Sequence, residues 1–193
     1  MWLEGCGELP GRLVVISGPS GSGKSTLIRR LLARTTARVR LSVSATTRAP
    51  RPGETEGVDY HFLTPEAFAA DRAGRFLESA EYNGHCYGTP RAAVIEALAA
   101  GWIVLLEIEV QGALQVREVA PTALFLFVKA PSFAAMERRL LDRGTEGPPA
   151  LQRRLVRARH ELAEAHWYDH QIINDEVERA AGELDAILSA LPT

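Results

Sequence analysis

Arg12 to Ser17 reads R-L-V-V-I-S, and Gly18-Pro19-Ser20-Gly21-Ser22-Gly23-Lys24-Ser25 follows directly. The second stretch fits G-x-x-x-x-G-K-[ST] at every fixed position, and it opens a helical pattern running from Lys24 to Arg34. A short apolar run before glycines reads as a parallel strand buried on both faces. The glycines allow tight curvature, so successive N–H groups point at one centre, and the helix N-terminus adds positive potential there. Such a loop, from Gly18 to Thr26, holds the phosphates of a nucleoside triphosphate. Lys24 bridges the β- and γ-phosphates, and the Ser25 hydroxyl helps to hold Mg²⁺.

The stretch at 38–43 and the runs at 102–106, 122–128 and, more weakly, 171–173 read as further strands. Helical patterns lie at 90–100, 111–119, 132–141, 151–165 and 176–191. Strands alternating with helices predict an α/β fold, a P-loop-type parallel sheet with helices on both faces. Residues 44–87 break this alternation with turn residues and short strand-like pieces, Tyr60 to Phe62 and Phe76 to Tyr82, and read as a small inserted lobe. The expected organisation is a tail at 1–11, a core at 12–43 and 92–193, and the lobe at 44–91. Gly144 to Pro149 has the composition of a mobile connection between two helices.

The net charge of −2 gives no general surface for polyanions, so nucleic acid is not an expected partner. Residues 1–11 lack the basic and apolar regions of a secretory signal, and the apolar runs are too short to span a bilayer. Two cysteines far apart, Cys6 and Cys86, match no metal spacing and suit a reduced, cytoplasmic chain. Lysine occurs only at positions 24 and 129, so 20 of the 22 basic residues are arginine, the side chain whose planar fork suits phosphate.

Arg48 and Arg51 lie three residues apart beside two prolines. Proline stiffens this loop, and together the two guanidinium groups can neutralise a dianionic phosphate. The surrounding run, S-x-S-x-T-T-R-x-P-R-x-G-E from Ser42 to Glu54 and then G-x-D-Y-x-F to Phe62, resembles the GMP-binding segment of guanylate kinases. The similarity continues through Phe76-Leu-Glu78, Tyr87-Gly-Thr89, Gln111-Gly112, Arg139 to Gly144 and Asn174-Asp175, and covers about residues 12–188.

The resemblance implies Mg²⁺-dependent transfer of the ATP γ-phosphate to GMP by a monomer or small homo-oligomer, with a helical lid at about 142–158. Arg48, Arg51, Tyr60 and Tyr87 would hold the GMP phosphate, and Ser44, Glu78, Thr89 and Glu109 would surround the guanine. A carboxylate such as Glu78 is an acceptor-only fork that matches the adjacent N1–H and N2 amino group of guanine. Adenine would leave it unpaired. Thr89 also precedes Pro90, the N-cap and N1 pairing of a helix, and both roles are open to it. Glu107 and Glu109 stand two apart at a strand end, hence on one side of it, where the family usually has Asp-x-Asp. By the resemblance Glu107 would reach Mg²⁺ through water, and each glutamate adds a methylene to the family's geometry. Arg139, Arg143 and Arg154 would be lid arginines on the transferring phosphate, whereas Arg153, Arg157 and Arg159 fit a solvated face. Asn174 would lie near the adenine.

Overall fold

A computed structural model of the chain describes residues 9–70, 72–82, 84–142 and 148–191, without the side chains at 72, 73 and 148–150. Arg143, the connection at 144–147 and most of the expected tail lie outside the described residues. Strands β1 (Arg12–Ser17), β2 (Val39–Leu41), β7 (Ile103–Glu107), β8 (Leu124–Lys129) and β9 (His170–Ile173) form one sheet in the order β2-β7-β1-β8-β9. All four pairings are parallel. The register sets Ile16 beside Glu107 and Ser17 beside Phe127. The loop after β1 and the acidic end of β7 therefore leave the sheet at the same edge, the carboxyl end where ligands of such sheets bind.

Strand periodicity divides the core into two layers. Val14, Ile16, Leu105, Leu126, Val128 and Ile172 face helices α1 (Lys24–Leu32) and α8 (Val177–Ser189). Leu13, Val15, Val104, Leu106, Phe125 and Phe127 face α4 (Arg91–Ala99) and α5 (Val110–Val119). Most of these side chains are fully buried, each contributing roughly 1.5–3 kcal/mol. The chain then runs through α6 (Phe133–Asp142), α7 (Pro148–Ala163) and one 3₁₀ turn at Glu164–Trp167 before β9.

A second sheet lies between β2 and α4. Strands β3 (Ala45–Thr46), β4 (His61–Phe62), β5 (Phe76–Tyr82) and β6 (His85–Pro90) stand in the order β4-β3-β6-β5. Its own buried core is Ala45, Phe68 and Phe76, with the Phe68 and Phe76 rings stacked 4.5 Å apart. Phe68 arrives on a short helix, α2 (Pro65–Ala69), whose Thr64 cap accepts from the Ala67 N–H at 3.1 Å.

Of the two roles left open for Thr89, capping of the following helix is not found. Thr89 and Pro90 belong to β6, Pro90 itself stands at the N-cap, and no side chain caps α4. Cross-strand pairing keeps Thr89 extended, because its neighbour Gly88 pairs with both Ala45 and Ser79. Helix α7 starts at Pro148, three residues before the expected start.

Candidate active site

The phosphate loop connects β1 to α1. Gly23 is the N-cap of α1 at φ 88°, and a Cβ there would collide with the Asn174 amide. Only glycine meets both conditions. The Lys24 ammonium folds back onto the loop and donates to the carbonyls of Gly18 and Pro19. The Ser25 hydroxyl donates to Glu107 at 2.6 Å, joining the loop to the end of β7. Asn174 is buried, and its side-chain amide donates to the Ser22 carbonyl at 2.9 Å.

A cavity of about 650 Å³ opens between this loop and the second sheet. Pro19, Ser20, Gly21, Gly23, Lys24 and Ser25 line one side. Ser44, Arg48, Arg51, Tyr60, Glu78 and Tyr87 line the other, with Glu107, Glu109 and Arg154 between them. Residues up to 135 positions apart in the chain thus meet around one space, since Pro19 and Arg154 share its wall. Gly18, Ser22, Thr26, Thr89, Arg139 and Asn174 do not line it. Arg139 instead donates to the carbonyls of Ser22 and Asn174, bracing the loop from behind.

Glu54 organises the arginine pair. Its Oε1 accepts from Arg48 at 2.8 Å and its Oε2 accepts from the Arg51 backbone N–H at 2.7 Å. The Arg48 guanidinium also stands over the Tyr60 ring, 5.3 Å from its centroid. Tyr60 packs edge-on against Tyr87 at 6.0 Å, and burial raises the Tyr60 phenol above its ordinary pKa.

Glu78 is the buried carboxyl of the cavity wall. Burial pushes it up to about 7, against the lowering effect of its hydrogen bonds from Thr89. The Thr89 hydroxyl donates to Glu78 Oε1 at 2.7 Å. On the other flank α5 passes so close that a Cβ on Gly112 would lie 2.5 Å from Glu78 Oε2. The Gln115 side chain, one turn further on, clamps the next residue. Its Oε1 accepts from the Ser79 N–H at 3.1 Å, and its Nε2 donates to the Ser79 carbonyl at 2.9 Å.

The solvated face expected at Arg157 is not found. Its guanidinium bonds Glu161 at 2.9 Å, lies 3.7 Å from Glu109 and stacks over the Tyr82 ring at 4.3 Å. Burial, followed by the charge and hydrogen bond of Glu109, raises the Glu161 carboxyl. Arg153 and Arg159 are exposed as expected, Arg159 with its guanidinium 4.7 Å from the centroid of the Phe133 ring. Glu54 closes the run from Ser42 without a role of its own there, and Tyr82, Gln115, Arg157 and Glu161 carry no motif that assigns them one. The i,i+4 spacing of Arg157 and Glu161 was the one readable signal among them.

Comparisons with known proteins agree with this geometry. The guanylate kinase family model matches residues 10–191. A guanylate kinase of Frankia casuarinae is 51% identical, covering 93% of this chain and 98% of its own. One from Rubrobacter xylanophilus is 52% identical over 92% of this chain and 93% of its own. The crystal structure of guanylate kinase from Anaplasma phagocytophilum superimposes with a TM-score of 0.78 at 32% identity, covering 95% of this chain and 87% of that one. With a phosphate loop, an arginine pair and a buried carboxylate around one cavity, and relatives matching over nearly its whole length, the chain belongs to the guanylate kinase family, enzymes of the nucleoside monophosphate kinase type.

Proposed function

We propose that this chain transfers the γ-phosphate of ATP to GMP by positioning and charge neutralisation, without a general base. The observation that carries the reading is the single cavity on which Lys24 and the Arg48, Arg51 and Glu78 set converge. The phosphate loop takes ATP, with Asn174 near the adenine. Residues 44–91 form the acceptor lobe of a core built from 12–43 and 92–193. There Arg48, Arg51, Tyr60 and Tyr87 hold the acceptor phosphate, while Glu78, Ser44, Thr89 and Glu109 surround the base and ribose. The acceptor phosphate, with a second pKa of about 6, is already mostly dianionic at neutral pH. Lys24 and the lid arginines 139, 143 and 154 then spread the charge of the transferring group. Movement of the lobe and of a lid at about 142–158 excludes water from the transfer.

The donor set suits Mg²⁺. Ser25 Oγ and Glu107 Oε1 are hard oxygens 2.6 Å apart beside the phosphate loop. Among the described residues no group of three His, Cys, Asp or Glu is placed to hold a metal ion. Ser25 would hold the ion directly and Glu107 through water, and the bound ion would neutralise charge on the β- and γ-phosphates. No described helix is long and apolar enough to cross a membrane, and the proposed setting is the cytoplasm, as a monomer or small homo-oligomer.

ADP release measured across GMP, AMP, CMP, UMP and ribose phosphates tests the assignment. GMP should exceed every other acceptor by orders of magnitude. Equal rates with a ribose phosphate would overturn it.

A further inference from the structure

Three parts of the molecule meet at one hydroxyl. Ser20 belongs to the phosphate loop, and its Oγ lies 3.2 Å from the Tyr82 hydroxyl at the end of β5. The same Oγ accepts from Arg154 Nη2 of α7 at 3.1 Å. With the guanidinium as donor there, the single Ser20 proton is free to go to Tyr82, or Tyr82 donates into the second lone pair. Either order satisfies both contacts. The Tyr82 ring adds a second link between the lobe and α7, because Arg157 lies 4.3 Å from its centroid and also 3.7 Å from Glu109. Two adjacent turns of α7 therefore touch Tyr82 through different atoms, one through Ser20 and one through the ring.

We infer that Tyr82 is a positioning residue that holds the acceptor lobe closed against the phosphate loop and α7, acting through Ser20 and Arg157 and touching no reacting atom itself. The inference rests on the reading of 44–91 as the acceptor lobe. A tyrosine that only filled space would not need its hydroxyl at this point. The ring packs edge-on near Tyr87 at 6.4 Å, and that packing is independent of the oxygen. The Tyr82–Ser20 bond is also the direct polar link from the described lobe to the phosphate loop itself. It forms only when lobe and loop are together, which is when ATP must be kept from water.

Tyr82→Phe separates the two roles, since it keeps the ring and the Arg157 contact and removes only the oxygen. GMP affinity without ATP should stay within about twofold of the parent, because the phosphate and base contacts remain. Turnover should fall roughly three- to tenfold, the effect of one lost hydrogen bond. ATP hydrolysed per GDP formed should rise by a similar factor. In a Ser20→Ala background the Tyr82→Phe change should cost nothing further, whereas Ser20→Thr should retain the dependence on Tyr82. The inference fails if Tyr82→Phe leaves turnover and the hydrolysis ratio unchanged. It also fails if GMP affinity and turnover fall together, or if the two substitutions act additively. A parent enzyme that does not phosphorylate GMP removes the acceptor reading and this inference with it, and the parent assay reveals that separately from the variants.

Discussion

Lys24 and Glu78 look into the same cavity from supports of unlike kind. Lys24 stands on α1, whose Leu27, Ile28 and Leu31 are fully buried against the parallel sheet. Glu78 stands on an edge strand of a small sheet whose own core is three side chains; its neighbour Leu77 anchors the strand in the main core, and the carboxylate itself is placed by close and polar contacts. The polar contacts are the Thr89 hydroxyl and the Gln115 amide on Ser79, and Gly112 leaves the space beside the carboxylate. Apolar burial is non-directional and hard to shift, so it fixes the donor side. Hydrogen bonds are directional and can be remade, so they suit the closing and opening proposed for this side.

The largest test of this division is Lys24→Ala. Turnover should fall by about a thousandfold or more, while GMP affinity in a calorimetric titration without ATP stays nearly unchanged. A parallel loss of GMP affinity would mean that the two sides are not separable. Glu78→Gln comes next. One charged acceptor becomes a donor facing a guanine N–H, worth roughly 2–4 kcal/mol, or about thirty- to a thousandfold in kcat/KM for GMP. The gap to AMP should narrow, and Glu109→Gln, already engaged with Arg157, should do less. If Glu109→Gln collapses the GMP to AMP ratio and Glu78→Gln does not, the base-reading carboxylate is Glu109. Gln115→Ala tests the polar support directly. KM for GMP should rise about three- to tenfold with KM for ATP unchanged, since two neutral hydrogen bonds to Ser79 are lost without a group in the cavity being touched.

The smallest effect is a proton. The free Glu78 carboxyl sits at about 7, and pairing with guanine N–H groups requires the ionised form. GMP binding at pH 6 should therefore release close to one proton from Glu78, and almost none at pH 8. Affinity should rise across that range. Titrations in two buffers of different ionisation enthalpy read this, and Glu78→Gln subtracts the contribution of the GMP phosphate. The folded protein holds the Glu78 proton between the ordinary carboxyl value of 4.5 and about 7. The carboxyl's contribution to stability should therefore decline as pH rises through that window and level off above it.

The parallel sheet was legible because its three central strands, β7, β1 and β8, are near-continuous apolar runs, and because the glycine-lysine motif fixes where β1 ends and α1 begins. The inserted lobe was legible as a break in the alternation, but not as a sheet. Strand β6 reads H-C-Y-G-T-P, a sequence with turn residues and no period of two. It is extended because β3 and β5 pair with it on both sides. The same limit applies in the cavity. Arg48, Arg51 and Glu78 belong to recognisable runs, whereas Tyr82, Gln115 and Arg157 owe their places to partners 36 to 75 residues away, and no local pattern carries that.

Helix α5 has one more consequence. Glu109 stands at its N-cap, Gly112 lies against Glu78 and Gln115 grips Ser79, three stations spaced three residues apart along one helix. Each residue of an α-helix turns the chain by about 100° and advances it by about 1.5 Å. Adding or deleting a single residue between 112 and 115 would swing Gln115 off Ser79, and one between 109 and 112 would bring a side chain to the place where a Cβ crowds Glu78 Oε2. The segment is thus a ruler of fixed length, and it sets the span between the two carboxylates, Glu78 and Glu109, that line the cavity. Families of variants that differ in chain length should vary elsewhere, and a scan of one-residue insertions should find this stretch among the least forgiving of the whole chain.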